Sequence, residues 1–208
     1  MKVTPNPQKL DRLKEALLKH YSKERDEIHV SDLVMCMRQQ VYKKVDPKPP
    51  TITSVSMFVD GARRDIVIKP LVGKRPETKQ VNGVFLTPDA MDDDGPIEVK
   101  TTRARYGVSQ HYLNQLMSYI VLNGGLKGSL VIQRISMGID EPFEWYDVDL
   151  TEEDRSAALD AIEQRRMALQ KALDAKDPRL VPGVKNDAEI GWLCNDCPWK
   201  TECYAIVE

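Results

Sequence analysis

Leu10, Leu13 and Leu17 recur at helical spacing, so residues 8–21 are expected to form an amphipathic helix. Ser31 stands where a cap belongs, heading SDLVMCMRQQVYKK. That predicts a second helix with Cys36 about one and a half turns in. DPKPP at 46–50 breaks the pattern and reads as a linker. A third helix is expected over 55–68, through Met57, Phe58 and Ala62, with Pro70 and Gly73 ending it. The period then changes. KQVNGVFLTPDA (79–90) and PIEVKTT (96–102) read as two strands joined by the turn MDDDG. A helix over 108–122 follows, closed by Gly124 and Gly125. GSLVIQRIS (128–136) and FEWYDVDL (143–150) predict two more strands. Residues 151–174 predict a long charged helix, with Thr151 and Asp154 as a capping pair. The tail from Pro178 is irregular and carries three of the four cysteines. This order implies an α/β sandwich built on a mixed sheet.

The chain has 208 residues, which suits one domain with a real core. Its formal net charge of -2 excludes a globally basic nucleic-acid binder, so any DNA-binding surface must be a local patch. No apolar run is long enough for a membrane span, so no membrane partner is expected. The start, MKVTPNPQKLDRLKEALL, lacks an apolar signal core, and the expected location is the cytoplasm. In that reducing compartment four cysteines point to metal ligation rather than disulfides.

The chemistry concentrates in LTPDAMDDDGPIEVKTT. Asp89 ends the first predicted strand, and Glu98 and Lys100 lie on the next. Strand side chains alternate, so Glu98 and Lys100 share a face. Adjacent strands lie roughly 5 Å apart, which lets the Asp89 carboxylate meet that of Glu98. Two such carboxylates suit Mg²⁺ or Mn²⁺, with the Val99 carbonyl as a third ligand. The metal would polarise a phosphodiester, and Lys100 would orient water or neutralise developing charge. Gln115 and Tyr119, at i and i+4 on the next helix, can place an amide and a phenol over the metal site or the DNA backbone. The plainer alternative is an acidic hairpin with one exposed ion pair, beside a solvated Gln and a half-buried Tyr.

Cys194, Cys197 and Cys203 form C-x₂-C-P-x₄-C, and Cys36 lies far upstream. Ligation by all four would clip the chain's two ends together, and the loop entropy involved grows only logarithmically with length. Zinc accepts four thiolates, but the three-plus-one pattern is more typical of an iron–sulfur cluster. Trp192 and Trp199 flank the triad, either as a shield or as tail packing.

Asp89, E-V-K at 98–100 and Q-x-x-x-Y at 115–119, in that order, resemble the RecB-type branch of PD-(D/E)XK nucleases. Pro88-Asp89 even matches the P-D of that name. The resemblance implies a restriction-endonuclease-like core in which Asp89 and Glu98 bind the divalent metal and Lys100 assists hydrolysis. Many members carry a His four residues after a Gly on the preceding helix. Here Gly61 is followed at that spacing by Asp65, a departure from the pattern; an Asp can also bind Mg²⁺, which keeps Asp65 as a candidate further metal ligand. With the cysteines, the chain from Ser31 to Cys203 resembles the CRISPR-associated Cas-four family. That implies a single nuclease domain over 1–208, a catalytic core over about 51–175, and an iron–sulfur element from 22–50 and 176–208. It also implies a cluster, often [4Fe-4S], exonuclease action on single-stranded DNA ends, and partnership with the integrase that receives trimmed spacer fragments. There is no G-x-x-x-x-G-K-[ST] loop, so no nucleotide cofactor is expected.

Local basic residues offer DNA contacts: Lys43 and Lys44, Arg63 and Arg64, then Arg103 and Arg105 just after the catalytic strand. Tyr106 and Tyr112 are candidates for base stacking. The Arg165–Arg166 pair reads as solvated surface charge. The rival functions are a non-catalytic assembly factor, which the Asp65 departure favours, and a zinc-stapled nucleic-acid-binding module.

Overall fold

A computed structural model of the chain describes residues 6–21, 27–136 and 138–206. Its elements, in chain order, are α1 (Pro7–Tyr21), β1 (Ile28–His29), α2 (Val30–Val34), α3 (Met37–Val45) and α4 (Ile52–Val72). Next come β2 (Lys79–Val81), β3 (Val84–Leu86), β4 (Ala90–Met91), β5 (Pro96–Thr102) and α5 (Gln110–Leu122). The chain continues through β6 (Lys127–Arg134), β7 (Phe143–Asp149), α6 (Glu152–Ala175) and α7 (Lys200–Tyr204). One sheet has the order β1-β3-β2 and the other β4-β5-β6-β7. In the second sheet only β5 and β6 run parallel, with α5 as their crossover. A parallel pair needs such a connection.

Period-two alternation along β5 and β6 decides how the layers pack. Ile97, Val99 and Val131 face α4, where they meet Ile68 and Val72. Leu130 and Ile132 face the other way and pack with Leu116 and Ile120 of α5. A further core joins α2, α3, α5 and α6 through Leu33, Met37, Val41, Ile162 and Leu169. The mixed sheet is therefore covered by helices on both faces, as expected for an α/β sandwich.

Several details differ from the sequence reading. The helix expected from Ser31 is two helices. His29 caps the first, and its N–H donates to Asp32 Oδ2 at 2.8 Å. Met35 and Cys36 are extended, so Cys36 sits at the N-cap of α3 rather than inside a helix. Arg165 causes the break: its guanidinium donates to the carbonyls of Leu33 (2.5 Å) and Met35 (3.4 Å), the acceptors a continuous helix would use. Arg165 is thus a structural tie, not solvated charge.

Pro70 lies inside α4, and Gly73 alone ends it. A proline this near a C-terminus forfeits one helical hydrogen bond. The packing of Ile68 and Val72 and the Lys74–Met91 bridge hold the last turn in place. The single strand expected over 79–90 is a hairpin, β2–β3, followed by the two-residue β4. Asn82 (φ 50°) and Gly83 (φ 78°) form its two-residue turn. Two positive φ values in succession are what such a turn requires, and Asn-Gly adopts them readily. Asp89 accordingly precedes β4 instead of ending a long strand. The capping box of Thr151 and Asp154 is present at α6. No helix among the described residues is long and apolar enough to cross a membrane.

Candidate active site

The antiparallel β4–β5 hairpin, turned by MDDDG, sets Asp89 beside the middle of β5. There the Val99 N–H donates to Asp89 Oδ2 at 2.8 Å. Glu98 and Lys100 point together from β5 toward α5, as the alternation predicts, and Lys100 Nζ is 2.5 Å from Glu98 Oε1. Lys100 also donates to Gln115 Oε1 at 2.8 Å, and Gln115 Nε2 donates to the Tyr119 hydroxyl at 3.3 Å. The i, i+4 spacing on α5 thus extends the Glu98–Lys100 pair into a chain of four side chains.

Burial governs the electrostatics. Glu98 is 2% exposed, and its Oε2 is buried without a hydrogen-bond partner. Burial pushes its carboxyl up to about 7; the Lys100 ammonium pulls back part of that rise, and the like charge of Asp89 adds to it. For Lys100 burial pulls downward, but the Glu98 carboxylate outweighs it, so the ammonium is held above its usual range. A buried carboxylate oxygen without a donor is costly, and a divalent cation would satisfy it. The donor set, carboxylates plus a strand carbonyl at Val99, fits Mg²⁺ or Mn²⁺.

Asp65 reaches the same neighbourhood through a residue the sequence reading missed. Lys69, one turn along α4, lies 2.7 Å from Asp65 Oδ2 and 2.6 Å from Asp89 Oδ1. Burial lowers the Lys69 pKa, and the hydrogen bonds to the two carboxylates raise it by more. The i, i+4 spacing to Asp65 was visible in the sequence, but the contact with Asp89 depends on where α4 packs. Arg134 was missed as well. It is buried, pairs with Glu144 at 2.6 Å, and donates to the carbonyls of Ala104 (3.0 Å) and Gly107 (2.9 Å). That anchors the loop bearing the exposed Arg103 and Arg105 next to the end of β5.

The other candidate DNA contacts are scattered. Arg64 is paired with Asp60. Tyr112 lies beneath Lys100 Nζ, 5.6 Å from the ring centre, whereas Tyr106 is almost fully exposed. Lys43 donates to Gln40 on the surface of α3.

The four cysteines are reduced, and Cys36 is buried. Burial raises the Cys36 thiol pKa, a backbone hydrogen bond from Gln39 offsets part of that rise, and the nearby charges of Cys203, Cys194 and Cys197 add to it. Arg38 points a guanidinium N–H at Cys203 Sγ (3.6 Å), and Gln39 points its amide at Cys197 Sγ (3.8 Å). Trp199 is buried, stacks on Tyr42 and donates to the Asp46 carbonyl, whereas Trp192 is half exposed. Among the described residues no group of three or more His, Cys, Asp or Glu side chains is already arranged to hold a metal ion. That holds for the four thiols and equally for Asp65, Asp89 and Glu98. Four convergent thiols facing N–H donors fit a thiolate-ligated cluster, whose sulfurs accept such hydrogen bonds.

Glu189 links the two regions. It accepts from the Ser109 hydroxyl and from the Gln110 N–H (3.2 Å) at the start of α5. The cysteine-bearing tail is thereby fastened to the helix that carries Gln115 and Tyr119.

No protein-family model matches the chain, and no curated protein matches it in sequence. Among solved structures it is similar to SSO0001, with a TM-score of 0.59 and 20% identity over 97% of this chain and 98% of that one. It is also similar to LHK-Exo, an alkaline exonuclease from Laribacter hongkongensis, with a TM-score of 0.51 and 12% identity over 77% of this chain and 95% of that one. At these identities the likeness is one of fold.

Proposed function

We propose that the protein is a divalent-metal-dependent deoxyribonuclease whose active site is Asp89, Glu98 and Lys100, supported by Gln115 and Tyr119. The observation that carries this reading is the buried, unpartnered Glu98 Oε2 beside Asp89, on a strand whose next inward residue is Lys100. Two carboxylates and a lysine packed this closely, with Glu98 fully buried, are expensive to keep unless they do chemistry. The fold shared with an alkaline exonuclease supports the same reaction class.

Asp89, Glu98 and the Val99 carbonyl would hold Mn²⁺ or Mg²⁺, with Asp65 as a further carboxylate. When bound, the cation supplies Lewis acidity to the phosphodiester and to a coordinated water. Lys100 stands where an ammonium can orient that water or neutralise charge developing on the phosphate. Gln115 holds Lys100 in register, and Tyr119 holds Gln115. Arg103 and Arg105, on the loop fixed by Arg134, would position the DNA backbone without reading its sequence.

The finer assignment rests on the motif resemblance. The protein would be an exonuclease on single-stranded ends that trims spacer precursors in CRISPR adaptation. It would act in the cytoplasm beside an integrase, with a [4Fe-4S] cluster on Cys36, Cys194, Cys197 and Cys203. The test is digestion of end-labelled single- and double-stranded DNA with Mn²⁺, beside an Asp89→Ala control. Release of short products from single-stranded ends, lost in the variant and with chelator, is the expected result. Equal digestion by the variant would remove the site assignment. Iron and acid-labile sulfide in anaerobically purified protein test the cluster, and stoichiometric zinc instead would reject it.

A further inference from the structure

Lys69 is the charged group of the site that the proposed reaction leaves without a role. Its contact with Asp65 is an ordinary i, i+4 pair on one helix. Its contact with Asp89 is not local: it crosses from α4 to the residue before β4. Asp89 Oδ2 is already committed to the Val99 N–H, so Lys69 occupies the other oxygen, Oδ1. The Lys69 and Asp89 side chains are 30% and 17% exposed, so the contact is more sheltered than a solvated surface pair.

Charge balance then becomes informative. Asp65, Asp89 and Glu98 bring three carboxylates to the site, and Lys69 and Lys100 answer with two ammonium groups. A divalent cation ligated by Asp89 Oδ1 at about 2.1 Å would share that oxygen with the Lys69 ammonium. Cations this close repel strongly where water is scarce. The cation and Lys69 therefore compete for the same atom.

We propose that Lys69 is a built-in counter-ion. It holds Asp65 and Asp89 together in the metal-free protein, leaves them when a divalent cation binds, and so lowers the metal affinity of the site. This inference rests on the reading that Asp89 and Glu98 hold such a cation. A lysine that only tethered α4 to the β4 segment would behave differently. Removing it would weaken the protein equally with and without metal, and metal affinity would not rise.

Mn²⁺ binding without DNA separates these cases. It is measured by calorimetry and by loss of the free Mn²⁺ resonance signal, on the full chain as purified. The proteins compared are the parent, Lys69→Met, Lys69→Gln, Lys69→Arg and Asp89→Ala. Met keeps most of the apolar stem and removes the charge. The expected result is at least about tenfold tighter binding in Lys69→Met and Lys69→Gln, near-parental binding in Lys69→Arg, and loss of binding in Asp89→Ala. The uncharged variants should also melt below the parent without metal, and saturating Mn²⁺ should narrow that gap. Unchanged or weaker binding in both uncharged variants, with Asp89→Ala still defective, overturns the counter-ion and leaves the metal site standing. Binding that Asp89→Ala does not affect overturns the site and this inference with it. If Lys69→Met does not fold, Lys69→Gln decides alone. Failure of both to fold makes Lys69 a tether and rejects the proposal.

Discussion

The carboxylate site and the cysteine region are both gathered from distant parts of the chain, but different forces hold them. Asp89, Glu98 and Lys100 are fixed by a regular sheet, by a backbone N–H and by one another. Their charges are largely compensated internally, Asp89 by Lys69 and Glu98 by Lys100. The thiols come instead from a helix break and a tail of short helical turns, with Cys203 in α7, steadied by Arg38, Gln39 and the buried Trp199. The first region is held by hydrogen bonds and ion pairs within the protein. The second converges but leaves its sulfurs to be drawn in by whatever they bind. Side chains on a rigid strand can tolerate loss of a ligand, whereas a tail with little core of its own depends on one.

The largest expected effect tests the first half of that contrast. Asp89→Ala and Glu98→Gln should each lower metal-dependent cleavage by roughly a thousandfold or more, with thermal stability close to the parent. Gln is the better probe at 98, because Ala would strand the Lys100 ammonium that Glu98 now pairs. A large loss of stability in Asp89→Ala would break the contrast, since the site would then be a structural hub.

Lys100→Met comes next, with an expected loss of about a hundredfold in cleavage and Mn²⁺ binding retained. Loss of Mn²⁺ binding along with activity would move Lys100 from the reaction to the upkeep of the site.

The cysteines should show the reverse pattern. Cys197→Ser and Cys203→Ser are expected to lose iron and to lower the melting temperature by roughly 5 °C or more, because ligation energy is partly folding energy. Unchanged melting in both variants would mean that the tail holds itself together, and the contrast fails.

Glu189→Ala gives the smallest effect and probes the link between the regions. It removes the acceptor at the head of α5, and such a cap is worth about 1 kcal/mol, or roughly 2–4 °C for a chain of this size. Cleavage should fall by less than about tenfold. A total loss of activity would show that the cysteine tail controls α5 far more tightly than one carboxylate implies.

Legibility in the sequence followed how local the determining contacts are. Glu98 and Lys100 could be placed on one face because alternation along PIEVKTT is a property of the strand alone. The α6 cap was readable for the same reason, since Thr151 and Asp154 are three residues apart. The Asn82-Gly83 turn was also local, yet its two arms are only three residues each and merge by eye into one strand. The break before Cys36 was not legible, because Arg165 makes it from far downstream. Lys69 shows the boundary within one residue: its bond to Asp65 is written in the spacing, and its bond to Asp89 exists only once α4 has packed on β5. Arg134 likewise acquires its role from the loop it holds.

In the proposed enzyme Asp89 and Glu98 together hold a catalytic divalent cation. Anomalous diffraction from crystals grown with Mn²⁺ tests it most directly. One strong manganese peak is expected, about 2.1 Å from carboxylate oxygens of both Asp89 and Glu98. A fully occupied peak elsewhere, with both of those carboxylates bare, would contradict it.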